Sequence, residues 1–289
     1  MKKYSKIIAV AAAACMMVGA LSGCGAKEEA QQAAEAVKEE VKDAKEEAEE
    51  KVEEAVDAGK AVIAGDTYVM GCSADFPPFE SFDDDGATIV GYDVDMMNEI
   101  CSRLGIELEI QDMNFDSVVT AVQTGKIDFG VSGMTITEER KENVAFSDPY
   151  FEAYQAIVVM PGSRLETYDD LVNGDYTAGV QLGTTGDIMA TDVLGDRVSQ
   201  YEKYSDALAA LLSGKVDCMV LDLNVAKAFA KANNLVLLDD PFGGAEDIEY
   251  YGIAMAKENT ELLEAVNKAL ADMKAEGFFD ELDAKYAEE

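Results

Sequence analysis

Apolar positions along the chain fall into three regimes, and each predicts a different kind of segment. Residues 7–21 form one apolar run, shorter than the roughly 20 residues a membrane span needs. Over residues 26–60 the large apolar positions thin out to Val37, Val41, Val52 and Val56 among Ala, Glu and Lys. That is a good helix former with many i,i+4 acid–base pairs and almost nothing to bury. It predicts a solvated helical spacer, with a short coiled coil as the alternative. Gly59 and Gly65 bracket its end.

From Asp66 onward strand and helix periods alternate. "TYVMGC" and "ATIVGYD" predict strands, "VDMMNEICSRL" a helix stopped by Gly105, and "IELEIQ" a strand. "SVVTAVQT" predicts a helix stopped by Gly125, and "IDFGV" a buried strand. The extended stretch "EAYQAIVVM" then leads into a second series. Its helices are predicted at "YDDLV", "TGDIMATDVL", "SDALAALL" and "NVAKAFAKA", and its strands at "YTAGV", "VDCMVL" and "LVLL". "YYGIAMAK" is extended again, and two helices close the chain from Asn259. The class is α/β, and two extended crossings around a complete α/β unit predict two lobes joined by paired strands. The cleft between such lobes is where a ligand is expected.

The first regime gains meaning from its flanks. Lys2, Lys3 and Lys6 precede it and Leu21-Ser22-Gly23-Cys24 ends it, a secretory signal closing in a sequence that resembles a bacterial lipoprotein box. Cleavage would leave Cys24 as the lipid-bearing N-terminus, anchored to a membrane surface; an ordinary signal with an incidental cysteine is the alternative. Of the five cysteines, Cys15 would leave with the signal and Cys24 would be lipidated. Cys72, Cys101 and Cys218 remain, and their apolar settings predict buried thiols rather than a disulfide or metal site.

Histidine is absent, which removes Ser-His-Asp and Cys-His catalysis and His-ligated zinc. A formal net charge of −35 argues against nucleic acid and anionic lipid as partners. No GxxxxGK[ST] phosphate loop occurs, so nucleotide hydrolysis would need a separate protein.

Loops at the carboxyl ends of strands carry the candidate chemistry. In "GMTITEER", Thr137 is a candidate N-cap and Glu138 and Glu139 suit a helix N-terminus, but Arg140 is electrostatically misplaced there and needs an anion. Either a surface acid or a ligand supplies it. In "LGTTGD", Gly183, Thr184 and Thr185 offer free N–H groups suited to a carboxylate, or merely a capped helix. Asp222 is either an N-cap or a functional carboxylate; Phe76 and Phe115 are either core or ligand clamps.

Taken in order, "ADFPPFE", "GYDVDMMNEI", "VQTGKIDFGVSGMTITEERKENVAFSDPYF", "VQLGTTGD", "GKVDCMVLD" and "YYGIAMAKENTELLEAVNKAL" resemble the bacterial extracellular solute-binding proteins of family 3. These are amino-acid-binding components of ABC transporters with the type II periplasmic-binding-protein fold, and the resemblance runs from Thr67 to about Tyr286. Behind the expected signal peptide over 1–23 and lipid-anchored spacer over 24–64, it implies a first lobe over 65–155 completed by 250–289, and a second lobe over 156–249. It implies no catalysis and no cofactor or metal, but a free amino acid as ligand, a permease with a separate ATPase as partner, and action as a monomer.

Residue by residue, the resemblance implies that Arg140 grips the ligand α-carboxylate in a bidentate way. Thr135 with backbone groups at Ser132 and Gly133 would share the carboxylate and ammonium. Thr185 beside Thr184 would donate from the second lobe, Asp222 would face the ammonium, and Phe76 and Phe115 would sandwich the side chain. Ser73 stands where many relatives have an acid, with Asp75 and Glu80 nearby, and Gln181 is a further side-chain contact, which favours a polar or cationic ligand. The fold also resembles that of certain cyclohexadienyl dehydratases, and a sensor acting through a separate membrane protein is a third reading.

Overall fold

A computed structural model describes residues 66–244 and 247–287, all within the unit Val56–Glu289. The expected signal peptide, Cys24 and the expected spacer lie outside the described residues. Among the described residues no helix is long and apolar enough to cross a membrane.

The first series runs β1 (Thr67–Cys72), β2 (Asp75–Phe76), β3 (Glu80–Phe82), β4 (Ile89–Val90), α1 (Tyr92–Leu104), β5 (Glu107–Asp112), α2 (Phe115–Gln123), β6 (Phe129–Gly130), α3 (Glu138–Lys141) and β7 (Ala145–Phe146). The crossing consists of β8 (Phe151–Ala153) and β9 (Gln155–Val159). The second series is α4 (Tyr168–Asn173), β10 (Ala178–Gln181), α5 (Thr185–Leu194), β11 (Val198–Tyr201), α6 (Tyr204–Leu212), β12 (Cys218–Asp222), α7 (Leu223–Asn233) and β13 (Val236–Leu237). The chain returns through β14 (Glu249–Tyr251) and β15 (Ala254–Met255) into α8 (Thr260–Glu276) and α9 (Phe278–Tyr286).

Two five-stranded sheets result, ordered β5-β1-β6-β15-β7 and β11-β10-β12-β9-β13. In the first, β1 pairs in parallel with β5 along its whole length and with β6, while the returning β15 closes the sheet antiparallel to β6 and β7. In the second, β10 lies parallel to β11 and β12, and the crossing strand β9 runs antiparallel to β12 and β13. The two crossings meet as β8 and β14, an antiparallel pair, as the two extended stretches predict. The first loops after β1, β5, β6 and β10 therefore converge on the space between the sheets, which is why their residues form a site.

Helix α1 shows how the sequence builds this frame. Met96, Met97, Ile100 and Leu104 repeat at helical spacing and are buried in the same core as Leu262, Val266 and Met273 of α8. Gly105 ends the helix in the left-handed conformation, φ 71°, where its N–H returns to the last-turn carbonyls. Cys72, Cys101 and Cys218 are free and buried, as their apolar settings predict.

Three local expectations are corrected. The strand expected at "ATIVGYD" shrinks to Ile89–Val90, because Tyr92 already begins α1. Helix α2 starts at Phe115 rather than Ser117. Between α5 and α6 the sequence pattern predicts no strand, yet β11 forms there: it is an edge strand, mostly half-buried, with too short an apolar alternation to register.

Candidate functional site

Arg140 stands at the meeting point of the lobes. Thr137 caps α3 as predicted, accepting from the Arg140 N–H at 3.2 Å. Among the described residues Arg140 makes no surface pair with Glu139 or a nearby Asp; it turns inward and is buried, while Lys141 pairs with Glu138 at 2.8 Å. Its Nη1 donates to the Thr135 carbonyl at 2.6 Å and its Nη2 to the Gly183 carbonyl of the second lobe at 3.1 Å. The guanidinium carbon lies 5.2 Å from the centre of the Phe115 ring, a cation–π distance. Burial lowers the guanidinium pKa, and the nearby Glu249 and Asp222 carboxylates oppose that shift.

Asp222 answers it from the second lobe. The residue occupies the N-cap position of α7, but its side chain makes no cap hydrogen bond. Its carboxylate instead accepts from Gln155 Nε2 at 3.0 Å and from the Tyr251 hydroxyl. Burial first, then the Glu249 carboxylate, pushes its pKa up to about 7. Gln155 Nε2 also lies 2.7 Å from Glu249 Oε2 and 3.3 Å from Thr185 Oγ1, so one amide ties the second-lobe acid to the returning strand β14. Among the described residues neither Arg140 nor Asp222 has an ion-pair partner within 4 Å.

The distal end of the cleft is polar. Ser73 Oγ donates to Asp75 at 2.9 Å and accepts from Gln181 Nε2 and Lys203 Nζ, each at 3.1 Å and each from the second lobe. Lys203 also binds Asp112 at 2.7 Å and the Met113 carbonyl at 3.1 Å. Two further bonds cross the cleft, Asn114 to Glu202 at 3.0 Å and the Ser205 N–H to Asp75 at 3.1 Å. The lobes are thus in direct contact.

Ser73, Phe76, Phe115, Ser132, Gly133, Thr135, Arg140, Gln181, Thr184, Thr185 and Asp222 are all buried and gather on this interface, whereas Asp75 and Gly183 are half-buried. Phe76 stacks on Tyr204 of the second lobe at 5.6 Å, while Phe115 faces Arg140. The Ser132 hydroxyl accepts from the Ser73 N–H at 3.0 Å and donates to Glu80; the Gly133 N–H donates to Asp93 at 2.8 Å. Thr184 caps α5, accepting from the Asp187 N–H at 3.1 Å and donating to the Gln181 carbonyl at 2.8 Å. Gln155, Lys203, Tyr204, Glu249 and Tyr251 join the site without being foreseen. Gln155 had a signal: it is the one polar residue of the otherwise apolar and wholly buried strand β9.

A model of the bacterial extracellular solute-binding proteins, family 3, matches residues 68–289. The chain belongs to that family. This solute-binding protein is 33% identical over 232 residues to a probable histidine-binding protein of Neisseria gonorrhoeae, covering 79% of this chain and 86% of the relative. The crystal structure of a mutant of ArgBP from T. maritima superposes with a TM-score of 0.72 at 47% identity, covering 81% of this chain and all of that one. An ancestral arginine-binding protein bound to glutamine gives a TM-score of 0.71 at 43% identity, with 76% and 97% covered. The fold is therefore that of the type II periplasmic binding proteins, and the relatives are binding proteins of extracytoplasmic transport rather than enzymes.

Proposed function

We propose that this solute-binding protein captures a free α-amino acid with a polar or cationic side chain and delivers it to the permease of an ABC importer. One observation carries the reading. Arg140 and Asp222, opposite in charge and contributed by different lobes, are both buried in one cleft, and among the described residues no ion pair neutralises either. Buried charges without counter-ions are costly, and a zwitterion would supply both. Its carboxylate would go to Arg140 with Thr135 and Thr185, its ammonium to Asp222, and its side chain between Phe76 and Phe115 toward Ser73 and Gln181.

The polar residues at that distal end, and relatives named for histidine and arginine with one holding glutamine, support a polar or cationic side chain. Ligand would favour the closed arrangement because each lobe holds only half of its contacts. Residues 1–23 would be removed and the protein held outside the cytoplasmic membrane by lipid on Cys24, with the spacer giving it reach; mass spectrometry of the mature N-terminus reads that modification directly. A thermal-shift screen of the common amino acids tests the ligand class. A ligand at a hundred times its dissociation constant adds about 2.7 kcal/mol, so a clear melting-temperature rise is expected for arginine, glutamine, histidine or lysine. A rise with none of the amino acids defeats the reading.

A further inference from the structure

Behind the cleft lies a second pair of acids that the binding reading does not use. Glu80 of β3 and Asp93 of α1 are both fully buried. Each holds one residue of the segment that follows β6. Glu80 Oε1 accepts from the Ser132 hydroxyl, and Asp93 Oδ2 accepts from the Gly133 N–H at 2.8 Å. The Tyr150 hydroxyl, next to the crossing strand β8, lies 2.9 Å from both Asp93 oxygens. Ser132 in turn receives the N–H of Ser73, so the chain of bonds runs from the two acids to the polar end of the cleft.

The accounting of donors leaves one atom over. Glu80 Oε2 is buried and has no hydrogen-bond partner, and the Glu80 and Asp93 carboxyls are close enough to act on each other. Two ionised carboxylates side by side in such a place would repel, and an acceptor with no donor is costly. One proton resolves both faults: placed on Glu80 Oε2 it is donated to Asp93. The surrounding groups are of the wrong kind to do this otherwise. The titratable groups that bear on the pair are Asp75, Cys72 of β1, Tyr92 of α1 and Tyr150, and no Lys or Arg is bonded to either carboxyl among the described residues.

We propose that Glu80 and Asp93 share a single proton at neutral to mildly alkaline pH, and that the pair are positioning residues which fix Ser132 and Gly133 for the ligand's head group. Burial raises both carboxyls, and both Asp93 oxygens already accept from Gly133 or Tyr150 while Glu80 Oε2 has no partner, so Glu80 is the member that keeps the proton. The positioning role rests on the amino-acid-binding reading above; the shared proton does not.

The test compares Glu80→Ala with Glu80→Gln in the full chain. Glutamine reproduces the protonated acid, with an oxygen for Ser132 and an N–H for Asp93. Glu80→Ala is expected to weaken amino-acid binding about tenfold or more at pH 7.5, the loss of one buried hydrogen-bond pair, and Glu80→Gln to restore it to within about threefold of wild type. Between pH 7.5 and 9.5 wild-type affinity is expected to fall more steeply than that of Glu80→Gln, which has no proton to lose. Two readouts need no ligand. At pH 8 the wild type shows an infrared carboxylic-acid carbonyl band that Glu80→Gln lacks, and the Gly133 amide resonance moves in Glu80→Ala and returns in Glu80→Gln. A missing band, a Gly133 amide indifferent to Glu80→Ala, or a glutamine variant as weak as the alanine variant overturns the proposal. If the wild type binds no amino acid, the functional reading fails while the band and the amide still decide this one.

Discussion

At the scale of single residues the site is a set of buried polar groups whose partners cross between lobes. Arg140 illustrates why residue type matters more than charge: two of its nitrogens reach carbonyls of different lobes, and its face covers Phe115. A lysine ammonium carries the same charge but lacks the planar fork. Arg140→Ala is expected to reduce affinity by a few hundredfold or more, since a ligand carboxylate would be desolvated without its counter-charge, at about 3 to 5 kcal/mol. Arg140→Lys is expected to recover only part of that loss. Isothermal titration with the best ligand from the screen measures both; affinity of Arg140→Ala within threefold of wild type would remove Arg140 from the site. Both charged residues were legible beforehand as candidates. An arginine in the first turn of a helix signals a missing anion, and Asp222 ends an apolar strand. What could not be read was which groups meet across the cleft: Lys203 follows a strand the pattern does not reveal, and Tyr251 lies in the returning segment, far from Asp222 in sequence.

At the scale of elements, the helices and central strands follow from periodicity because each buries one face or both. Short elements do not: β2 and β7 are two residues each, formed because neighbouring strands supply their bonds rather than by their own pattern. The segment from Ser132 to Thr135 is of this kind, and its shape depends on Gly133. That residue has φ +50°, and a Cβ there would come within 2.3 Å of Phe76 and 3.2 Å of Tyr251. Gly133→Ala is therefore expected to push Phe76 off its stack with Tyr204, costing about 1 to 3 kcal/mol of stability and at least tenfold in affinity. Chemical denaturation and titration check the two effects. An alanine variant with wild-type affinity would mean that this segment does not shape the ligand's seat.

At the scale of the whole molecule, pH ties the buried acids together. Carboxyls in the unfolded chain titrate near 4, whereas burial raises Asp93 and Asp222 to about 7 and Glu80 well above its ordinary range. The folded protein thus holds protons that the unfolded chain has released, so stability is fully present below about pH 4 as far as these groups are concerned and declines as pH rises through 7. Mutual repulsion within a chain of net charge −35 acts in the same direction. The melting temperature without amino acid is expected to be higher at pH 5.5 than at pH 8, and a scan in both buffers decides it. Added ligand should narrow the difference, because an ammonium beside Asp222 favours its ionised form.

The bonds that Lys203 makes to Asp112, Ser73 and the Met113 carbonyl have a consequence in time rather than in energy. They join the lobes through protein atoms alone, so the lobes part only when these bonds break. On the proposed function, a solute held between them would leave no faster than the strap opens, and whatever empties the cleft would have to break a lysine–aspartate tie as well as let go of the solute.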